Sequence, residues 1–178
     1  MAIERVAVIG AGTMGAGIAQ VCAQAGWKTA LFDAFPDGLE RGMQRIDAFW
    51  DKGIARGKTT AEQKQTWAAN LRAEPDMKTA VQDADLVIEA VPEIPELKAS
   101  IFEQLDAMAP SHAILGTNTS SLSIASIANA TNRGDKVIGM HFFNPVPIME
   151  LLELVRHEGT SEETIAMAQA AGEAMKKT

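Results

Sequence analysis

The chain has 178 residues, about the length of one ordinary domain, and 47% of them are hydrophobic, enough to bury a core. Lys and Arg number 16 against 23 Asp and Glu, and the formal net charge of -7 disfavours nucleic acid and anionic membranes as partners, since both attract basic surfaces. Any phosphate group must therefore be bound by a local feature of the chain.

The N-terminal residues and the cysteine content predict a cytoplasmic protein. Residues 1–5 lack the charged and apolar regions of a signal peptide, and no apolar run approaches the roughly 20 residues that span a bilayer. The single cysteine, Cys22, cannot form an internal disulfide and lies among apolar residues, which predicts a buried structural thiol. With three histidines and no CxxC or HxxxH spacing, we expect no metal site.

The opening residues predict a strand, a helix and a second strand. Arg5–Ile9 is a β-branched run, residues 16–25 have helical composition and stop at Gly26, and Lys28–Phe32 forms the second apolar run. A right-handed crossover between the two strands makes them parallel neighbours. The chain is therefore predicted to begin as an α/β fold.

A glycine loop connects the first strand to the first helix. In the run Gly10-Ala11-Gly12-Thr13-Met14-Gly15, the first glycine permits a tight turn, the second lets the backbone approach a pyrophosphate, and the third lets helix and strand pack closely. The helix N-terminus adds free N–H groups. Asp33, after the second strand, can accept hydrogen bonds from a ribose diol and would repel a 2′-phosphate. The loop predicts an NAD site, with a ligand-free turn as the alternative.

A helical hairpin is predicted after the second strand, over about residues 39–71. Apolar residues recur every three or four positions between residues 39 and 56, as on one face of a long helix. Thr60 and Gln63 have the spacing of a capping box, and Trp67 and Leu71 continue the apolar face of a second helix.

The hairpin is longer than a minimal crossover requires. It is either a structural insertion or an arm that grips substrate, because Lys52, Arg56 and Lys58 cluster at its tip. The sequence leaves both interpretations open.

The rest of the chain continues the alternation of strands and helices. Strands are predicted at residues 86–91, 113–115, 137–140 and 149–155, and helices at residues 96–109, 124–130 and 162–177. The last helical pattern stops without a cap or tail, so that the chain looks cut there. We predict a Rossmann-type, doubly wound and mainly parallel sheet with a helical hairpin insertion.

One histidine follows a predicted strand at the edge of the sheet where ligands bind in open α/β folds. His141 comes directly after the strand at residues 137–140 and is a candidate general base. Glu153 could fix its tautomer and stabilise the imidazolium. Glu150 is the rival carboxylate, although strand alternation puts it on the opposite face. The alternatives are a structural histidine and a solvated Glu153.

Polar side chains also follow the predicted strand at residues 113–115. Asn118 and Ser120 can hold a substrate hydroxyl or carbonyl, and we assign both to substrate. The alternative is an N-cap for the next helix, which Ser121 or Ser123 would serve well.

Three motifs occur together in this chain: GAGTMGAGIA at residues 10–19, NTSSL at 118–122 and HFFNPVP at 141–147. In this order and spacing they closely resemble the NAD-binding domain of the L-3-hydroxyacyl-CoA dehydrogenases, and the resemblance covers nearly the whole chain. It implies NAD-dependent oxidation of a (S)-3-hydroxyacyl-CoA to the 3-ketoacyl-CoA, or the reverse, in fatty-acid metabolism such as β-oxidation.

The resemblance also implies roles for individual residues. His141 is the base with Glu153 as its partner, and Ser120 hydrogen-bonds the substrate oxygen near the nicotinamide. Further cofactor contacts are implied for the glycine loop with Thr13 and Met14, and for Asp33, Glu93, Lys98 and Ser120. Lys52 and Arg56 match the arm that contacts CoA phosphates.

The family's chains continue into a helical C-terminal domain that forms a homodimer, and this domain is expected to be absent from residues 1–178. Two other functions remain open. One is a dehydrogenase of a 3-hydroxy acid without CoA, and the other is a dinucleotide-binding module without turnover.

Overall fold

The computed structural model describes residues 2–178. Within them, seven strands form a sheet: β1 (Arg5–Ile9), β2 (Lys28–Phe32), β3 (Leu71–Ala73), β4 (Leu86–Glu89), β5 (Ile114–Thr117), β6 (Val137–Phe142) and β7 (Leu152–Val155). Their order is β3-β2-β1-β4-β5-β6-β7, and all neighbours are parallel except β7, which runs antiparallel to β6. The order of the six parallel strands is that of a Rossmann fold, which confirms the predicted fold class.

The helices of the described residues are α1 (Thr13–Gln24), α2 (Pro36–Ala55), α3 (Ala61–Ala68), α4 (Met77–Val81), α5 (Pro95–Met108), α6 (Ile124–Ala128) and α7 (Glu162–Ala174). Between residues 2 and 178, no helix is both long enough and apolar enough to cross a bilayer.

The sheet has a separate apolar core on each face. Side chains alternate between the two faces of a strand, so that Val6 and Val8 of β1 join the core under α1 and α2, whereas Ala7 and Ile9 join the core under α5. Strands covered on both faces have nearly continuous apolar sequences, and β4 is buried along its whole length. This explains why these strands were predictable from short apolar runs.

The hairpin after β2 consists of α2 and α3. Thr60 and Gln63 form the predicted capping box at the start of α3, each side chain accepting from the other's backbone N–H. The two helices are joined by Lys64, whose ammonium lies 2.8 Å from Asp47 and 2.7 Å from Asp51. These ion pairs join the two helices near the tip of the hairpin.

The prediction that the second helix of the hairpin continues to Leu71 is wrong. The helix ends at Ala68, and Leu71 begins the edge strand β3, where it pairs with Thr29 of β2. A strand of three residues is too short for alternation to reveal it, and its pairing with β2 is a tertiary contact. Helix α4, which has five residues, was likewise too short to be predicted from its sequence pattern.

Several further boundaries differ from prediction. The strand predicted at residues 137–140 continues to Phe142, so His141 lies within β6 and not after it. The last strand begins at Leu152 instead of residue 149, because Ile148 and Met149 donate their N–H groups to the carbonyl of Pro145 and form a turn. The last helix ends at Ala174 and is capped, contrary to prediction. Lys176 takes φ 61°, and the N–H of Lys177 donates to the carbonyl of Gly172 at 2.8 Å, as in a Schellman motif.

Candidate functional site

The carboxyl ends of the parallel strands meet at one edge of the sheet, and two neighbouring cavities open there. The first, of about 520 Å³, is lined by the glycine loop, Asp33, Glu93 and Asn118, among others. The second, of about 290 Å³, is lined by His141, Ser120 and Phe143, and shares Glu93 and Asn118 with the first. Most of the predicted cofactor and catalytic residues thus line adjoining spaces, whereas Lys98 and Glu153 line neither.

The glycine loop has the shape that a bound pyrophosphate requires. Gly10 has φ 105°, and a Cβ atom there would lie 2.8 Å from the carbonyl oxygen of Ala90. At Gly15 a Cβ atom would collide with the carbonyl of Gly10, whereas at Gly12 it would meet no atom within 4 Å. The space beside Gly12 is therefore open to a ligand, whereas the spaces beside Gly10 and Gly15 are filled by protein.

The N-terminus of α1 faces the same cavity. Gly12 is the N-cap, no side chain caps the helix, and its first turn holds no acidic residue. Thr13 and Met14 of this turn line the cavity. Because the first N–H groups of a helix lack intrahelical partners and lie at the positive end of its dipole, they can bind an anionic phosphate.

Asp33 has a structural contact in addition to its predicted one. Its two carboxylate oxygens accept hydrogen bonds from the backbone N–H groups of Ala11 and Phe35, both at 2.8 Å. Asp33 therefore ties the glycine loop to the end of β2. The carboxylate also lines the larger cavity, where its remaining lone pairs are suited to a ribose diol.

Lys98 lies beneath the surface of the cleft. Its side chain is 0% exposed, and its ammonium lies 2.6 Å from Glu89 and 3.3 Å from Glu93. Lys98 does not line either cavity, and its contact with the cofactor, which the family resemblance implied, stays a prediction. Glu89 was missed by the sequence analysis, although a carboxylate in the apolar strand β4 is itself a signal that it has a buried partner.

Glu93 is the exposed end of this group of charges. Its carboxylate accepts hydrogen bonds from the hydroxyls of Thr119 at 2.7 Å and Ser121 at 3.1 Å. Partial burial works against the charged form, but the bond from Thr119 and the charge of Lys98 outweigh it and lower the pKa of Glu93. Glu93 is thus a fixed negative charge where the two cavities meet.

His141 and Glu153 lie opposite each other in the register of β6 and β7. Their side chains are in contact, with 3.1 Å between Nδ1 of the histidine and Oε1 of the glutamate. Because a carboxylate only accepts hydrogen bonds, Nδ1 carries the proton and Nε2 is left with a free lone pair. Glu150, the rival carboxylate, precedes β7 and forms no hydrogen bond with His141 in the described residues.

The polar segment after β5 divides its tasks among neighbouring residues. Ser123 caps α6 through a bond from the N–H of Ser126 at 3.2 Å, and Ser121 binds Glu93. Ser120 therefore remains available in the cavity of His141. Asn118 accepts a hydrogen bond from the N–H of Phe142 at 2.9 Å, and so joins the ends of β5 and β6.

A third cavity, of about 310 Å³, lies between α1, α2 and the loop after β6. Lys52 lines it, as does Arg45, which the sequence analysis did not select. Arg56 is exposed at the C-cap of α2 and does not line this cavity. The structure thus places Lys52 in the lining of this cavity and Arg56 outside it.

Cys22 is buried, as predicted, and burial raises the pKa of its thiol. The thiol is therefore protonated and cannot serve as a nucleophile. Among residues 2–178, no three His, Cys, Asp or Glu side chains are grouped so that they could hold a metal ion.

Comparison with known proteins agrees with this geometry. A family model described as the NAD binding domain of 3-hydroxyacyl-CoA dehydrogenase matches residues 5–178. The whole chain is 42% identical to a probable 3-hydroxybutyryl-CoA dehydrogenase of Bacillus subtilis and covers 62% of it. Over 168 residues, 91% of the chain, it is 42% identical to the mitochondrial hydroxyacyl-coenzyme A dehydrogenase of Rattus norvegicus and covers 53% of that protein.

A solved structure is similar over nearly the whole chain. The crystal structure of (S)-3-hydroxybutyryl-CoA dehydrogenase PaaH1 from Ralstonia eutropha superposes with a TM-score of 0.96 at 38% sequence identity, over 99% of this chain and 62% of that one. The chain thus spans between half and two thirds of the length of these relatives.

Proposed function

The chain belongs to the 3-hydroxyacyl-CoA dehydrogenase family, of which it is the NAD-binding domain, and we propose that it carries the base and the cofactor site for oxidation of a (S)-3-hydroxyacyl-CoA to the 3-ketoacyl-CoA, or the reverse reduction. One observation carries the proposal: His141, whose Nδ1 lies 3.1 Å from Glu153, lines a cavity that adjoins the dinucleotide cleft. NAD, when bound, supplies the hydride acceptor of this reaction.

In the proposed reaction, Nε2 of His141 removes the proton of the substrate's 3-hydroxyl group. Glu153 stabilises the imidazolium that results, because its carboxylate already accepts a hydrogen bond from Nδ1. Ser120 donates a hydrogen bond to the reacting oxygen from the same cavity. In the reverse direction His141 returns the proton to the carbonyl oxygen.

We further propose that the CoA part of the substrate occupies the cavity lined by Arg45 and Lys52. The net charge of the chain is -7, so that the phosphates of CoA need local cations. Lys64, another cation of the hairpin, is held by Asp47 and Asp51. Arg45 and Lys52 are therefore the better partners for phosphate, and Arg56 a weaker one.

The helical dimerisation domain implied by the family resemblance remains a prediction. Large apolar side chains near β7 support it, because an exposed apolar patch is typical of a surface that contacts protein. These side chains are Ile148, Met149, Leu151 and Val155, which are 62%, 39%, 46% and 39% exposed.

We also propose a cytoplasmic location and a role in fatty-acid or related acyl-CoA metabolism. The single cysteine supports a reducing compartment, and the net charge of -7 supports a small-molecule substrate over nucleic acid or membrane.

The test is to follow NADH absorbance after adding acetoacetyl-CoA to this chain and, separately, to a polypeptide that also carries the helical domain. We expect turnover by the longer polypeptide, with Lys52→Ala raising its KM for acetoacetyl-CoA. Free CoA should compete with substrate; if it does not, a 3-hydroxy acid without CoA is favoured. Tight NADH binding without turnover by either polypeptide would contradict the proposal and favour a binding module.

A further inference from the structure

Three charged side chains connect the core of the domain to the cleft. Lys98, fully buried, has its ammonium 2.6 Å from Glu89, which is also 0% exposed, and 3.3 Å from Glu93, whose side chain is 39% exposed. One cation is therefore shared by two carboxylates, one in the core and one in the cleft. The negative charge that Glu93 presents to the cleft depends on how strongly Lys98 pairs with each of the two carboxylates.

Glu89 is ionised in this arrangement. One of its oxygens accepts from the hydroxyl of Thr117 at 2.6 Å, and the other accepts from the N–H of Val91 at 2.7 Å and from Lys98. Burial raises the pKa of Glu89, but the ammonium of Lys98 and the hydrogen bonds from Thr117 and Val91 favour its charged form. Two of these partners, the ammonium and the N–H of Val91, can only donate, as a carboxylate requires. Glu89 therefore balances Lys98, and the three groups together leave one negative charge, carried by Glu93.

The uncompensated charge lies at a defined end of the cofactor cleft. Asp33, after β2, marks the adenosine end, and the glycine loop after β1 marks the pyrophosphate. Glu93 follows β4 on the other side of the loop and lines the cavity of His141 as well as the larger one. It therefore lies at the nicotinamide end. The oxidised nicotinamide ring is a cation and the reduced ring is neutral, so a negative charge there attracts one form only.

We propose that Glu89 is a positioning residue: by sharing Lys98, it leaves the negative charge of Glu93 only partly compensated beside the nicotinamide and so favours binding of NAD⁺ relative to NADH. The inference concerns the relative affinity for the two redox forms of the cofactor. It rests on the cofactor site alone and does not require the proposed acyl-CoA substrate.

The test compares dissociation constants of variants in the absence of acyl-CoA. NADH affinity is measured from the fluorescence of the bound nicotinamide, and NAD⁺ affinity from its displacement of NADH. In Glu89→Gln, Lys98 pairs with Glu93 alone, and the ratio of the NAD⁺ to the NADH dissociation constant should rise about three- to tenfold. The double variant Glu89→Gln/Lys98→Met removes the buried carboxylate and the ammonium together, so the group again has one net negative charge, and the ratio should return to within about twofold of the wild type.

If the role of Glu89 were purely structural, its replacement would lower thermal stability and leave the ratio of the two dissociation constants unchanged. Thr117→Val removes a hydrogen bond to Glu89 without changing any charge, so it should lower thermal stability and leave the ratio unchanged. If Glu89→Gln does not fold, Glu93→Gln replaces the exposed carboxylate directly and should raise the ratio by a similar factor. An unchanged ratio in a folded Glu89→Gln or in Glu93→Gln would overturn the inference, as would a raised ratio in the double variant.

Discussion

Gly17 of α1 lies against Val146 in the loop after β6. A Cβ atom added to the glycine would lie 2.8 Å from Cβ of Val146 and 3.5 Å from Cδ of Pro147. Both Gly17 and Val146 also line the cavity that we assign to CoA. The glycine-rich start of α1 and the proline-rich loop after His141, far apart in sequence, are therefore packed together beside this cavity.

We expect Gly17→Ala to lower the free energy of unfolding by about 1–2 kcal/mol, because overpacking costs about 1–3 kcal/mol and only part of this is recovered from the higher helix propensity of alanine. Urea denaturation measures the loss. Gly134→Ala is the control, since its Cβ atom would make an ordinary contact at 3.8 Å with Ala128. Equal stability of the two variants would contradict the close packing.

His141→Ala should lower kcat by about a hundredfold to ten-thousandfold and leave NADH affinity nearly unchanged, because only base catalysis is lost. Glu153→Gln keeps an acceptor for Nδ1 but loses the charge that stabilises the imidazolium, so kcat should fall about tenfold or more. Steady-state kinetics of the polypeptide that carries the helical domain measures both. Glu150→Gln is the matched control. A similar loss of kcat in this variant would contradict the assignment of Glu153 as the partner of His141.

Arg133 holds the C-terminal end of α5. It donates to Oδ1 of Asp106 at 2.7 Å and to the carbonyls of Pro110 at 2.6 Å, Asp106 at 3.0 Å and Ala109 at 3.2 Å. Arg133→Lys keeps the charge but loses the planar set of donors, so the free energy of unfolding should fall by about 2–4 kcal/mol. Urea denaturation again measures the change.

Arg72→Lys is the control for that experiment. Arg72 is largely exposed and lies 3.7 Å from Glu74, so its replacement should change the stability by less than about 0.5 kcal/mol. If Arg133→Lys changed the free energy of unfolding as little as Arg72→Lys, the hydrogen bonds of Arg133 would not be what stabilises the end of α5.

Asp85 should make the stability depend on acid pH. Partial burial opposes its charge, but bonds from the N–H of Glu4, the His112 ring and the N–H of Arg5 outweigh this and lower the pKa of Asp85. Its contribution is therefore present above the unfolded pKa of about 3.9 and is lost as the pH falls through the lower folded value.

We expect Asp85→Asn to lower the free energy of unfolding at pH 7 by about 1–2 kcal/mol, with the difference from the wild type shrinking below about pH 4. Urea titrations at pH 7, 5 and 3.5 measure it. Asp83→Asn, at a site 70% exposed, should change little at any pH. A constant difference between wild type and Asp85→Asn at all three pH values would contradict the assignment.

The amino-acid sequence by itself determined the fold class and the glycine loop, and it identified His141 and Glu153 as a candidate pair. These depend on local rules. Only glycine allows the turn at Gly10, and alternation along an edge strand separates Glu153 from Leu152 and Leu154. An apolar run covered on both faces likewise predicts its strand from a few residues.

The tertiary structure alone decided which polar groups meet. The sequence could not pair Glu89 with Lys98, place Arg45 and not Arg56 beside the cavity between α1 and α2, or separate the end of α3 from the edge strand β3. Each of these depends on where another element packs. A charge in an apolar strand is tolerated only when a distant side chain balances it, and a helix surface faces a cavity only because of the loop packed across it.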